Sequence, residues 1–314
     1  MAPTSEFPWI IAVDQAAELI ERPDVPIRVA DVRWYLNGHP GLDEYRSGHV
    51  PGAAFVDLDT VLAAPGTAET GRHPLPDAET FAAGMESAGI DDQSVVIAYD
   101  DASGASASRL VWLLRATGHT AMVLDGGIQA WVEAFGQESL VEGSGDVAPA
   151  DPGSFARTPV NPEWTASMED AETAGTNGRP LIDSRAPERY RGETEPMDAW
   201  AGHIPGAQNV FHAKNIGDDG RFLSAPELRK RFEDAGVPQS TDDAGTASPI
   251  VYCGSGVTAC HNLVAMEAAG LHGRLYAGSW SQYSALHPAP AADSPATQST
   301  AAESAAGESG PDNV

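Results

Sequence analysis

DVRWYLNGHPGLDEYRSGHVPGAAFV (residues 31–56) and DSRAPERYRGETEPMDAWAGHIPGAQNVF (residues 183–211) are two versions of one pattern. Both begin Asp-x-Arg and both carry Gly-His-(Val/Ile)-Pro-Gly-Ala, offset by 152 at Asp31/Asp183 and by 154 at His49/His203. Two further matches keep nearly the same offset. VVIAYD (95–100) answers PIVYC (249–253), and LDGGIQAW (124–131) answers YAGSWSQY (276–283). Three ordered matches define a duplicated domain of about 150 residues. The expected organisation is a first domain over 1–143, a Gly/Pro/Ser/Asp-rich linker over 144–160, and a second domain over 161–287. Residues 288–314, rich in Ala, Ser, Pro and Glu, read as a disordered acidic tail.

Within each half, short β-branched runs alternate with helical patterns. IRVADV, VVIAYD and AMVLDG punctuate the first half, and PLIDS, PIVYC and GRLYAG the second. Between them stand PDAETFAAGMESAG, ASASRLVWLLRATG and VTACHNLVAMEAAG, the last two closed by a helix-stopping glycine. Strand–helix alternation predicts an α/β domain with a mostly parallel sheet flanked by helices. Ligands in such sheets bind outside the carboxyl ends of the strands.

One strand ends in a loop with chemistry in it: Ile250-Val251-Tyr252-Cys253-Gly254-Ser255-Gly256-Val257-Thr258-Ala259. Two glycines let the backbone curl, so successive N–H groups can form an anion nest. A helix beginning near Val257 adds positive potential. Both stabilise negative charge on sulfur, which makes Cys253 the candidate nucleophile. Cys260, about two helical turns on, reads as core. A cysteine phosphatase needs Arg after five intervening residues, to clamp phosphate, and Ala259 stands there instead. The two cysteines match no zinc-pair spacing, and no dinucleotide or phosphate-loop motif occurs, so neither metal nor cofactor is expected. His49 and His203 occur in both repeats although only one has the cysteine, which points to a structural role; Trp131 and Trp280 read as core.

Charge narrows the function further. With 18 Lys and Arg against 45 Asp and Glu, the formal net charge is −27. Nucleic acid is excluded as a general partner, and an anionic membrane surface would repel the chain. The N-terminus carries no basic stretch, and no apolar run reaches the ~20 residues of a spanning helix, so a cytoplasmic location is expected. Only Lys214 and Lys230 are lysines, against sixteen arginines. An acidic, lysine-poor surface suits high salt, where screening removes its self-repulsion.

GHVPGA and GHIPGA, RHPLP, LDGG and CGSGVTAC together resemble the tandem-domain rhodanese/sulfurtransferase family, over roughly residues 8–286. The resemblance implies two tandem rhodanese-like domains, the second catalytic and the first inactive, with Asp100 opposite Cys253. It implies transfer of a sulfane sulfur from 3-mercaptopyruvate or thiosulfate to cyanide or a thiol through a Cys253 persulfide. CGSGVTA looks like the 3-mercaptopyruvate branch, in which Ser255, His73 and Asp59 map onto a Ser-His-Asp arrangement. The implied substrate-binding set is Arg189 and Arg185 with loop residues Gly254, Gly256, Val257 and Thr258. Arg185, nearer the strand, has pairing with a carboxylate as its alternative use. The branch's second arginine, in a Glu-Pro-Arg stretch, is replaced by Met197, which leaves thiosulfate open as donor. A persulfide carrier serving a partner protein, and a cysteine redox sensor, are the competing readings.

The charge pattern has a direct test. The melting temperature is expected to rise from dilute buffer to molar KCl; a flat or falling series would refute salt adaptation.

Overall fold

The computed structural model describes residues 7–145, 147–175, 177–239 and 248–289. The β-branched runs become strands buried on both faces. The first sheet contains β1 (Ile10–Ile11), β2 (Ile27–Asp31), β3 (Ala53–Phe55), β4 (Val95–Tyr99) and β5 (Thr120–Leu124), in the order β1-β5-β4-β2-β3. The second contains β6 (Leu181–Asp183), β7 (Gln208–Asn209), β8 (Ile250–Tyr252) and β9 (Arg274–Leu275), in the order β7-β6-β8-β9. Every strand pair is parallel. Reversed, the second order repeats the first without its edge strand, where Thr165 makes a lone parallel bridge to Leu275.

Helices cover both sheets, as buried parallel strands require. The first domain supplies α1 (Val13–Ile20), α2 (Gly41–Ser47), α3 (Leu58–Val61), α4 (Ala78–Ser87), α5 (Ala107–Ala116) and α6 (Gly127–Phe135). The second supplies α7 (Met168–Ala174), α8 (Pro187–Tyr190), α9 (Ala225–Asp234), α10 (Thr258–Ala268) and α11 (Ser279–Leu286). All ten residues of α5 are buried, because one side meets its own sheet and another meets α10. A helix apolar nearly all round can only be stable in such a place. Leu110, Val111 and Leu114 join Leu263, Val264 and Met266 in one apolar cluster that runs across both domains.

The repeated motifs are fold determinants. Asp31 accepts from the backbone N–H, Nε and Nη2 of Arg33, whose Nη2 also donates to Gly48 O at 2.8 Å. Asp183 and Arg185 do the same, with Gly202 O at 2.6 Å. Each Asp-x-Arg thus pins a strand end to the glycine before the His-x-Pro-Gly turn. His49 bonds Tyr45 O and stacks on that ring at 4.0 Å; His203 bonds Tyr190 O and stacks likewise at 4.0 Å. Trp131 and Trp280 are buried.

The linking segment lies along the first domain. Phe155 is buried edge-on against Phe81 and stacked on His119, while Glu86 accepts from the N–H groups of Gly153 and Phe155 and from Arg157. Residues 290–314, most of the expected tail, lie outside the described residues.

His261, on α10, is 1% exposed. Its Nε2–H donates to Ser103 O at 3.1 Å and its ring stacks on Phe222. Burial pulls its pKa from 6.5 down to about 3. Unfolded chains take this proton near pH 6.5, so the stability held by neutral His261 is present above that pH and lost as pH falls toward 3. His261→Gln should flatten the fall in urea-unfolding free energy between pH 7 and 5, by about 1–2 kcal/mol. An unchanged slope would refute it.

Candidate active site

Cys253 follows β8 directly, and α10 begins five residues later at Thr258. The intervening turn needs Gly256: its φ is +80°, and a Cβ there would stand 2.6 Å from Ala277 O. Gly256 N–H donates to Cys253 Sγ at 3.1 Å. The start of α11 clamps the loop from the other side. Cys253 N–H donates to Ser279 Oγ, while Cys253 O accepts from Trp280 N–H and Gly254 O from Ser281 N–H. Ser279 holds a φ of +53° in that clamp. Cys253 is 2% exposed, and Val257 and Thr258 form the first turn of α10 beside it.

The corresponding loop of the first domain demonstrates what this geometry attracts. Asp100 takes the cysteine's place, and its carboxylate accepts from the N–H groups of Ala102, Gly104, Ser106 and Ala107 at 2.8–2.9 Å. A carboxylate fills its own nest, so the anion this loop holds is part of the chain.

Groups from the first domain complete the second domain's loop. His73 Nδ1 lies 2.7 Å from Ser255 Oγ, and His73 Nε2 lies 3.5 Å from Asp59 Oδ1. Trp34 fixes Asp59 through Nε1 at 3.0 Å and meets the His73 ring edge-on. The three residues that sequence reasoning drew together do meet, across the domain seam. Burial lowers the His73 pKa, with Arg109 and Arg72 acting the same way and Asp59 against them. Neutral His73 with its proton on Nε2 can accept from the Ser255 hydroxyl.

Arg109 braces both halves of this arrangement. Its fully buried guanidinium donates to Gly256 O at 2.9 Å, His73 O at 3.1 Å and Leu62 O at 3.2 Å. Cys260 lies beneath, its thiol directed to Gly256 O; burial pushes its pKa up to about 12, so it stays a core thiol.

Three guanidiniums and three carboxylates surround the loop. Arg189, at the end of α8, pairs with Glu195 at 2.6 Å and Asp198 at 3.2 Å. Arg72 pairs with the other oxygen of Asp198. Arg185 is only 1% exposed, spent on Asp183, Glu195 and Gly202 O and stacked over Trp280 at 4.6 Å. Sequence reasoning missed Arg72 and Arg109. The available signals were the Arg72-His73 adjacency in RHPLP and a cation on an otherwise apolar helix. No His/Cys/Asp/Glu group among the described residues could hold a metal ion.

Two parallel α/β domains, with a cysteine at the carboxyl end of a strand in one and its polar partners in the other, define a two-domain cysteine group-transfer protein. The rhodanese-like domain model matches residues 12–134 and 162–286, and the chain belongs to that family. It is 41% identical to a Pseudomonas aeruginosa protein named "Probable 3-mercaptopyruvate sulfurtransferase", over 87% of this chain and 94% of that one. It is 38% identical to a Mycobacterium tuberculosis protein named for thiosulfate sulfurtransferase activity, over 88% and 94% of the two chains. The solved 3-mercaptopyruvate sulfurtransferase of Escherichia coli superposes with a TM-score of 0.72 at 32% identity, covering 88% of this chain and all of that one. The protein is a sulfurtransferase of the 3-mercaptopyruvate/thiosulfate type.

Arg109→Met should leave several buried carbonyls without a partner and free both Gly256 and His73. Stability should fall by about 2–4 kcal/mol and sulfurtransferase turnover by about tenfold or more, read by thermal melting and sulfur-transfer assay. Wild-type turnover in the variant would refute the brace.

Proposed function

We propose that Cys253 carries the transferred sulfur as a persulfide, that 3-mercaptopyruvate is the preferred donor, and that Ser255, His73 and Asp59 relay the proton. The single observation behind this reading is the short His73–Ser255 contact at the cysteine loop.

The Cys253 proton passes by way of Ser255 to His73 Nδ1, and Asp59 stabilises the imidazolium. The Cys253 sulfur attacks the donor's sulfur, forming an S–S bond as the donor's S–C bond breaks. The electron pair leaves on the methylene carbon as the enolate of pyruvate. The relay returns its proton to that carbon, giving pyruvate and Cys253–S–SH. Gly256 N–H stabilises negative charge on Cys253 throughout. A thiol or cyanide then takes the outer sulfur and regenerates Cys253. Thiosulfate fits the same loop as a second donor, but its leaving group, sulfite, departs with the electron pair and requires no proton on carbon.

In this reading Arg189 holds the donor's anionic end, and Gly254, Gly256, Val257 and Thr258 shape the loop. Arg185 is assigned to positioning, in place of the substrate contact expected from sequence, because its donors are spent on Asp183, Glu195 and Gly202 O. The first domain, 1–143, serves as the partner that supplies the relay. No helix among the described residues is long and apolar enough to cross a membrane, and we place the work in the cytoplasm at high salt. A protein acceptor of the persulfide is compatible with the same chemistry.

Intact-mass measurement should register one added sulfur on wild type incubated with 3-mercaptopyruvate and none on Cys253→Ser. Ser255→Ala should cut kcat/KM for 3-mercaptopyruvate by about 100-fold and for thiosulfate far less. Equal losses with both donors would overturn the relay. Since burial depresses the His73 pKa, the acid limb of 3-mercaptopyruvate turnover should lie below the ordinary value of 6.5.

A further inference from the structure

The two domains treat one place in the fold differently. VDLDTV (56–61) answers VFHAKN (210–215), which sets Thr60 against Lys214 and Val61 against Asn215. FAAGMESAG (81–89) answers LRKRFEDAG (228–236), which sets Gly84 of α4 against Arg231 of α9. In the first domain the place is closed. A Cβ on Gly84 would collide with the Val61 side chain, so α4 lies directly on α3. In the second domain Asn215 and Arg231 stand where Val61 and Gly84 touch, and the place is open. A cleft of about 410 Å3 lies there, lined by Lys214, Arg231 and Asp234 and by Gln208 and Asn209 of β7.

Its two cations are unneutralised. Lys214 is exposed, and its ammonium has no partner among the described residues. Arg231 donates Nε to Asn215 Oδ1 at 3.2 Å and Nη2 to Phe211 O at 3.3 Å, and meets no carboxylate among the described residues. Asn215 is 0% exposed and donates Nδ2 to Asn262 Oδ1 at 2.7 Å. A buried network therefore aims the guanidinium, and burial lowers its pKa with no charge to offset the cost. Asp234, on the cleft wall, is held by Lys230 at 2.7 Å. Elsewhere on this acidic surface Arg22, Arg46, Arg191 and Arg221 each pair with a carboxylate, so a bare Lys–Arg pair departs from the pattern.

β7 ends its sheet, and its outer edge pairs with no strand among the described residues. Such an edge offers N–H and C=O groups to an extended segment. β7 stands two strands from β8, about 10 Å at the usual spacing, so a chain docked there reaches Cys253 within a few residues.

We propose that this cleft docks an acidic, extended segment of a protein sulfur acceptor: the segment pairs with the β7 edge and its carboxylates sit on Lys214 and Arg231. The inference rests on the persulfide reading above and adds the chemistry of its protein acceptor. The acceptor's thiolate attacks the outer sulfur of Cys253–S–SH, the S–S bond breaks, Cys253 leaves as thiolate, and the acceptor carries the persulfide. A net charge of −27 repels an acidic partner over the rest of the surface, so the cation pair selects where it lands.

The probe is a synthetic peptide of alternating Glu and Val with a cysteine about four residues beyond the last Glu, a reach of about 13 Å. A Gln-for-Glu counterpart and free cysteine are the controls. The full chain is first loaded at Cys253 with 3-mercaptopyruvate or thiosulfate, and loading is read by intact mass. Lys214→Glu should cut kcat/KM for transfer to the acidic peptide by about tenfold or more and leave transfer to free cysteine within about twofold. On wild type the Gln peptide should lose a similar factor, and hydrogen exchange should slow at 208–211 when the acidic peptide is added. Arg231→Gln should act in the same sense, and Lys214→Glu carries the test if Arg231→Gln does not fold. Equal transfer to the two peptides, an unchanged rate in folded Lys214→Glu, or unaltered exchange at 208–211 overturns the proposal. A chain ending at residue 289 that takes the acidic peptide better than the full chain would assign the cleft to the chain's own tail and overturn it as well. Failure of wild type to gain sulfur on Cys253 would instead refute the persulfide reading, which separates the two failures.

Discussion

A buried arginine holding a carbonyl of the opposite domain is the contact on which the site depends. Arg109 brings its charge into the seam between α5 and α10 and spends it on backbone oxygens, Gly256 O foremost. Among the described residues no carboxylate neutralises it at hydrogen-bond distance; the carbonyl dipoles do that work, those of the cysteine loop and of His73 among them. A charge buried in this way is tolerated only where its donors are satisfied by fixed geometry. The seam therefore fixes the loop and the relay at once.

The duplication makes a comparison within one molecule. Ser103 in the first domain corresponds to Gly256 in the second, and both sit at positive φ, +53° and +80°. Arg109 of α5 holds Gly256 O, and in reverse His261 of α10 holds Ser103 O. Each domain braces the other's loop. At the second domain's loop the brace is a cation and the nearby side chain is His73. At the first domain's loop it is a neutral imidazole, stacked on Phe222. Asp100 fills the first domain's loop with its own carboxylate, which accepts from four backbone N–H groups there.

Similar logic separates the arginines. Arg33 and Arg185 make the same bonds in both domains, to the aspartate two residues back and to a turn carbonyl, whether or not a cysteine is present. A contact kept in the half that lacks the cysteine serves the fold. Arg72 and Arg189 break the symmetry. They share Asp198 and face Gly254, and Arg221, which answers Arg72 in the first domain's neighbourhood, pairs instead with Glu133.

Much of this was legible in the sequence. The Asp-x-Arg and Gly-His-x-Pro-Gly-Ala repeats announced two domains, since a repeat of side chains with fixed backbone roles survives only if the backbone repeats. Strand–helix alternation gave the parallel sheets, and the glycines around Cys253 gave the tight turn after its strand, because local chemistry dictates local conformation. The Ser255-His73-Asp59 grouping could be drawn only through resemblance, and its meeting distance of 2.7 Å belongs to the packing of α5 on α10. Arg185 was ambiguous because a guanidinium beside a strand end serves a carboxylate or a ligand equally well, and the choice rests on what encloses it. Arg72 and Arg109 were silent for a similar reason. Asp198, which Arg72 pairs with, and Gly256, whose carbonyl Arg109 holds, each lie more than a hundred residues away, and no spacing along the chain records a distance that only the docking of two domains creates.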